Sequence, residues 1–243
     1  MINHLRLQFN YLFSQVFIIC YMLIVSVIFT GIYLNASLDL GYSYLDGFRV
    51  SFQEEYLVQS VLLIEVIVTI SGIFIGGILS SKTNEFLINY TVDNYRGKFL
   101  FFLGRLLLGV MIILLTVIIS GMYYVLVAKL LTPFNLNLDL FIESLVWIFY
   151  QAIYLQILVF LLISILNHFL VVILPLVVFW FKKTIVIFTE LENDFQEIVL
   201  RVIPSFTIEN NKLTEFQTWD KYFVLLIAMM ILTVTINLVK DCK

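Results

Sequence analysis

Glu65 stands about eight residues inside an unbroken apolar run, residues 57–79, and is the side chain with the clearest chemical content in this chain. A charged residue at the middle of a membrane helix costs roughly 2.5–3.5 kcal/mol on insertion scales. Such a group must face protein or water, pair with another group, or stay protonated. Two roles are open to it. It is either a pathway carboxylate that meets cationic groups of a substrate, or a structural partner for an amide or hydroxyl on a neighbouring helix. Gln59 and Thr69 lie on the same run, and Tyr21 and Tyr33 lie in the run 16–36. These five residues would supply the polar part of a wide, mixed surface suited to an amphipathic ligand. Gln151 and Gln156, in the run 145–166, are placed to hydrogen-bond between helices or to join such a pathway.

Catalytic constellations are missing. Gly97-Lys98 lacks the upstream glycine and the following hydroxyl residue of a phosphate-binding G-x-x-x-x-G-K-[ST] loop, so no ATP site of that kind is expected. The two histidines, His4 and His168, have no second ligand near them in sequence, which disfavours a zinc site. The pair Glu54-Glu55 lacks the arginine and histidines that an intramembrane metalloprotease needs, and no G-x-S-G or G-x-G-D is present. The expectation is a protein that is not an enzyme and holds no cofactor or metal of its own. Cys20 and Cys242 read as ordinary thiols.

The elements that must position these residues are membrane spans. Six apolar stretches, 16–36, 57–79, 99–125, 145–166, 169–188 and 222–239, take up most of the 243 residues. A bilayer core ~30 Å thick is crossed by about 20 residues at helical rise. Composition agrees: 62% of residues are hydrophobic and 13% charged, against roughly 25% charged in a soluble domain. The chain therefore reads as a single transmembrane domain. Lys and Arg are too scattered for a nucleic-acid surface. The first stretch has span length and no small-residue cleavage site, so it is expected to stay as the first helix. Basic residues are denser in the short segments on the side of the termini, which favours N- and C-termini in the cytoplasm.

Between the spans, residues 1–15 alternate in a way that fits an interfacial helix, with Leu5, Phe9 and Leu12 on one face. Gly72, Gly76 and Ser80 fall four apart and predict a close helix contact. Residues 81–98 form the main inner loop. Phe86, Leu87 and Tyr90 make a short apolar stripe there, with Glu85, Asp93 and Arg96 around it. A plain helix–helix connection needs only about 2–8 residues, so a short helix parallel to the membrane is expected. A second inner connection around Asn167-His168 is very short. Residues 188–202 repeat at helical spacing and predict an amphipathic outer helix that Pro204 stops, followed by a more polar piece up to Trp219. Arg105 is expected to snorkel to the inner interface, Lys182 and Lys183 to mark the end of the fifth helix, and Pro175 to kink the middle of that helix.

This layout, with the segment from Lys82 through Glu85-Phe86-Leu87 and Asp93-Asn94-Tyr95-Arg96-Gly97-Lys98 to Gly104-Arg105, resembles the permease subunits of ABC-2-type exporters. The small size is similar to the bacterial peptide exporters of that kind and their immunity-type relatives. The resemblance implies an all-α integral membrane protein of six transmembrane helices. It further implies an N-terminal interfacial helix, a cytoplasmic coupling helix at 84–90 and an amphipathic outer segment between helices five and six. It implies location in the cell membrane of a Gram-positive bacterium, and export of amphipathic peptides of the toxin, bacteriocin or phenol-soluble modulin type. The implied partners are a separate ABC ATPase subunit, which holds ATP and Mg, and a second permease subunit, identical or related. Glu85, Phe86, Leu87, Tyr90, Asp93 and Arg96 would couple to the ATPase. An immunity or secondary-transport protein that is not driven by ATP is the alternative; no inverted repeat between the two halves of the chain is evident.

Overall fold

The structure, a computed structural model, describes residues 15–42, 49–80, 95–131, 136–166, 168–187, 204, 206–209, 212–215 and 219–240. Most of them are helical: α1 (Gln15–Tyr42), α2 (Arg49–Leu79), α3 (Tyr95–Leu131), α4 (Leu138–Leu166), α5 (Ile173–Ile187) and α6 (Trp219–Lys240). A 3-10 turn, Phe169–Val172, leads into α5. These segments are apolar nearly all round, the signature of helices embedded in apolar surroundings. Without water to satisfy it, the backbone must bond to itself, and a helix does so within one segment.

Three apolar stretches are long enough to cross a membrane: Tyr56–Leu79 with 24 residues, Gly97–Leu131 with 35 and Leu138–Leu166 with 29. Three others are shorter, Cys20–Ala36, Leu170–Phe181 and Lys221–Ile236. The expected runs 16–36, 57–79, 99–125, 145–166 and 222–239 each fall inside one helix. The run 169–188 does not. Its first turn is 3-10, and Pro175 is the third residue of α5 rather than a mid-helix kink. The proline thus sits just after the change from 3-10 to α-helical winding, where its missing N–H leaves one carbonyl of the preceding turn without that donor. The helix also continues past Lys182 and Lys183 to Ile187.

Contacts between side chains give the directions of the helices. Tyr21 and Phe29 of α1 meet Thr116 and Tyr123 of α3, so these two run parallel. Tyr56 of α2 meets Tyr124 of α3, while Leu79, at the other end of α2, lies over Gly109; these two run antiparallel. Thr69, Gly72 and Gly76 of α2 meet Gln151, Ala152 and Gln156 of α4 in rising order, a parallel pair. The α2–α4 contact is the most extensive in the molecule.

The glycine face of α2 makes that contact possible. A Cβ at Gly72 would stand 3.1 Å from the Ala152 carbonyl oxygen, and one at Gly76 would stand 3.1 Å from the Gln156 carbonyl oxygen. The expected close approach along Gly72 and Gly76 is therefore present, and its partner is α4. Around it lies a continuous core that includes Ile64, Val68, Ile113, Trp147, Ile148 and Ala152.

One end of the bundle carries an aromatic layer. Tyr124 stacks on Tyr56 and Phe141 with ring centroids 5.0 and 4.0 Å apart. Trp147, Tyr150 and Tyr154 surround Tyr222 at 6.2–6.4 Å. A two-stranded antiparallel hairpin, β1 (Phe206–Glu209) and β2 (Lys212–Glu215), pairs Ile208 with Leu213 and inserts Phe206 beside Trp147. An isolated hairpin is marginal in water; this one is held by apolar contact with the helices. It occupies part of the segment expected only to be more polar.

The interfacial segment 1–14, the proposed coupling helix 84–90 with Glu85, Phe86, Leu87 and Tyr90, the residue Asp93, and the segment 188–202 lie outside the described residues. Arg96 falls in the first turn of α3, and its side chain also lies outside them.

A leucine at Gly72 should drive α2 off the α4 backbone. Overpacking costs about 1–3 kcal/mol, so Gly72→Leu should lower the melting temperature in detergent clearly. Gly31→Ala should cost less, because the new Cβ meets only the side chain of Leu63. Equal melting of the two variants would remove the close α2–α4 approach.

Candidate functional site

Polar groups inside the bundle fall into two kinds. Hydroxyls on Ser71, Thr116, Ser120, Ser144, Ser164 and Thr233 donate to the carbonyl four residues earlier in their own helix, at 2.6–2.8 Å. This local bond hides a hydroxyl from hydrocarbon without another element. Carboxyl, amide and guanidinium groups are too long or too demanding for that solution.

Glu65 is 1% exposed and Thr69, one turn on, is 0% exposed. They share a face of α2 with Gly72 and Gly76, which turns both toward α4. Across the interface the Gln151 side-chain Nε2 donates to Thr69 Oγ1 at 3.3 Å. The parallel register puts Glu65 level with Trp147 and Ile148, one turn before that bond, and Ser60 is buried further along α2. The site is thus a carboxyl, a hydroxyl and an amide set in a buried seam between two parallel helices. Its polar groups can hold the helices in register, and they can receive a cationic or hydrogen-bonding ligand when the seam opens.

The five pathway candidates do not converge on one surface. Glu65 and Thr69 belong to the seam. Tyr21 is half-buried, and its hydroxyl lies 3.0 Å from Thr116 Oγ1 in the α1–α3 contact. Tyr33 and Gln59 are exposed on the outside of the bundle. Of the two glutamines, Gln151 makes the interhelical bond expected of it.

Gln156, also expected to hydrogen-bond between helices, instead marks a packing point among three of them. Its amide lies against Gly109 of α3, where a Cβ would collide with it, and its backbone packs on Gly76 of α2. Among the described residues neither amide atom of Gln156 meets a hydrogen-bond partner. Only the alignment of Gly76, Gly109 and Gln156 on three separate helices reveals this point, and spacing within one helix cannot show it. Arg105, one turn before Gly109, is 5% exposed rather than open at the interface, with its guanidinium 4.6 Å over the Phe101 ring. Gly109 is level with Leu79 and Ile113 with Gly72, so Arg105 and Glu65 lie roughly 25 Å apart along the bundle at 1.5 Å per residue. Arg105 is near one end of the apolar core and Glu65 near its middle. Among the described residues no three His, Cys, Asp or Glu side chains come together as a metal site requires.

No protein-family model, curated protein or solved structure matches this chain.

The Thr69–Gln151 bond should couple the two helices. In a double-mutant cycle of Thr69→Val and Gln151→Leu, read by unfolding in detergent, the coupling should be about 0.6 kcal/mol and at most ~1.7, the range for such bonds in membranes. Additive effects of the two changes would show that the bond carries nothing.

Proposed function

We propose that this chain is the membrane-spanning subunit of an ATP-driven exporter of amphipathic peptides, with ATP hydrolysed by a separate subunit. The observation that carries the reading is the buried polar seam, Glu65, Thr69 and Gln151, set inside helices that are otherwise apolar. Intramembrane ionisable groups are costly, and they characteristically mark substrate or ion pathways. The reading takes the six apolar stretches as six crossings, with both termini in the cytoplasm; three helices long enough to span a membrane support it. In that arrangement the hairpin and aromatic layer lie on the outer side and Arg105 toward the inner side. The ABC-2 resemblance of the segment 82–105 supplies the energy source, a partner ATPase docking at 84–90, and a second permease subunit beside this one.

Glu65 and Thr69 are closed off in the described state, so transport needs a second state in which α2 shifts against α4. The contact at Gly72 and Gly76, where α2 offers no side chain to Ala152 and Gln156, suits sliding, with the Thr69–Gln151 bond given up as the helices move. The coupling segment joins α2 to α3, so force applied there acts on α2 first. The exposed Tyr33 and Gln59 would then face a path shared with the second subunit, and the seam would open onto it.

Affinity purification of the chain from its native host should bring down a nucleotide-binding subunit. The chain stripped of that subunit should hydrolyse no ATP. Robust hydrolysis by the stripped chain, or export of peptide with ATP depleted and the ion gradient intact, would replace this reading with the secondary-transport alternative.

Motion within the seam is testable separately. With Cys20 and Cys242 replaced, the pair Thr69→Cys and Gln151→Cys should form a disulfide under mild oxidation. That bond should block export, and reductant should restore it. Full export by the cross-linked protein would show that α2 and α4 move as one body.

A further inference from the structure

The outer flank of the α3–α4 pair holds a concave surface that the proposed transport path does not use. Ile118, Met122, Val125 and Leu126 of α3 and Ile142 and Leu145 of α4 wall a groove of about 640 Å³. Gly121 forms part of its lining, and Leu145 of α4 packs into the space its missing side chain leaves, which draws the two walls together. Among the lining residues one is charged, Lys129, in the last turn of α3. We infer that this groove binds an anionic phospholipid, with one acyl chain between α3 and α4 and the headgroup phosphate on Lys129.

Three observations identify the occupant. The first is length. From Ile118 to Leu130 the groove follows α3 for twelve residues, about 18 Å at 1.5 Å per residue. That is close to the depth of one leaflet, half of a ~30 Å hydrocarbon core. The second is the order of chemistry along it. The walls are aliphatic and aromatic, and the single cation comes at the end where α3 finishes, which is headgroup depth for a spanning helix. A lysine there reaches the phosphate layer on its own methylene stem. The third is charge. Asp139 and Glu143 are the acids nearest in sequence on α4 and are exposed. Neither lines the groove, so the charge inside it is that of Lys129 alone. A second copy of this chain would bring an apolar face to such a groove and leave Lys129 without an anion, and an amphiphile with a negative head satisfies both parts. The inference does not depend on the exporter reading.

The test uses the full chain, reconstituted in an equimolar mixture of phosphatidylglycerol and phosphatidylcholine and then released into mild detergent. Native mass spectrometry counts the lipids that stay bound. A lysine near an anionic headgroup contributes about 1 kcal/mol, so the wild type should retain phosphatidylglycerol over phosphatidylcholine by about fivefold. Lys129→Gln should bring that ratio to about one. Ile142→Trp, which fills the groove from an exposed position, should reduce the retention of both lipids. Lys129 and Ile142 are exposed, and both variants should melt like the parent, which separates loss of lipid from loss of fold. An unchanged lipid ratio in Lys129→Gln would overturn the inference. So would cross-linking of two copies through Ile142→Cys in the bilayer, which would assign the face to a second chain.

Discussion

The close parallel contact of α2 and α4 is the constraint on which the rest of the bundle depends. Helices in lipid gain little from burying apolar surface, since the lipid tails are as apolar as leucine. What holds them is dense packing between backbones, and Gly72 and Gly76 allow it by offering no side chain at the points where Ala152 and Gln156 arrive. Two parallel helices at that distance leave a groove on either side. α3 fills one side, antiparallel to both, and places its own Gly109 and Gly121 where Gln156 and Leu145 need room. α1 then packs on the α2–α3 pair through Gly31, Tyr21 and Phe29. Small residues thus recur where helices meet, and large exposed side chains such as Met111, Met122 and Leu130 cover the outside.

The same closeness decides which polar groups the interior tolerates. A serine or threonine satisfies itself within its helix, so such residues appear throughout the core at little cost. Glu65, Gln151 and Gln156 cannot do so and require a partner on a neighbouring element. They fall along the α2–α4 and α3–α4 contacts, which makes each of them sensitive to any displacement of one helix against another. An interface held by small residues and crossed by a few demanding polar groups has more than one acceptable register, because backbone packing persists while hydrogen-bond partners change.

The apolar helices were legible because they depend on length and apolarity alone, and three of them are long enough to cross a membrane. The small-residue face of α2 was also legible, since Gly72, Gly76 and Ser80 recur at the helical period. The partner of that face was not, because pairing between helices depends on shape across distant segments. The convergence of Gly76, Gly109 and Gln156 has the same origin. The hairpin left a signal that was passed over: Phe206-Thr207-Ile208-Glu209 and Lys212-Leu213-Thr214-Glu215 mix apolar and polar residues at strand spacing, with Asn210-Asn211 between them. Two turn-forming residues between two such runs are a hairpin pattern. The place of Pro175 is not visible in an even apolar run: a 3-10 turn capped by His168 occupies the start of that run and puts the proline in the first turn of α5. The candidate seam was half legible: Glu65, Thr69 and Gln151 were singled out, but Tyr21, Tyr33 and Gln59 belong to other surfaces because the faces of α1 and α2 cannot be oriented from an all-round apolar pattern.

The lysine pair in α5 has a consequence for how deep that helix sits. Lys182 and Lys183 follow Phe181 directly, and the helix runs on to Ile187. Two adjacent charges on an apolar helix are costly in hydrocarbon and cheap at a headgroup surface. Sliding the helix one way would draw both into the apolar layer, and sliding it the other way would lift apolar residues into water. The pair therefore works as a depth stop on an otherwise featureless apolar rod.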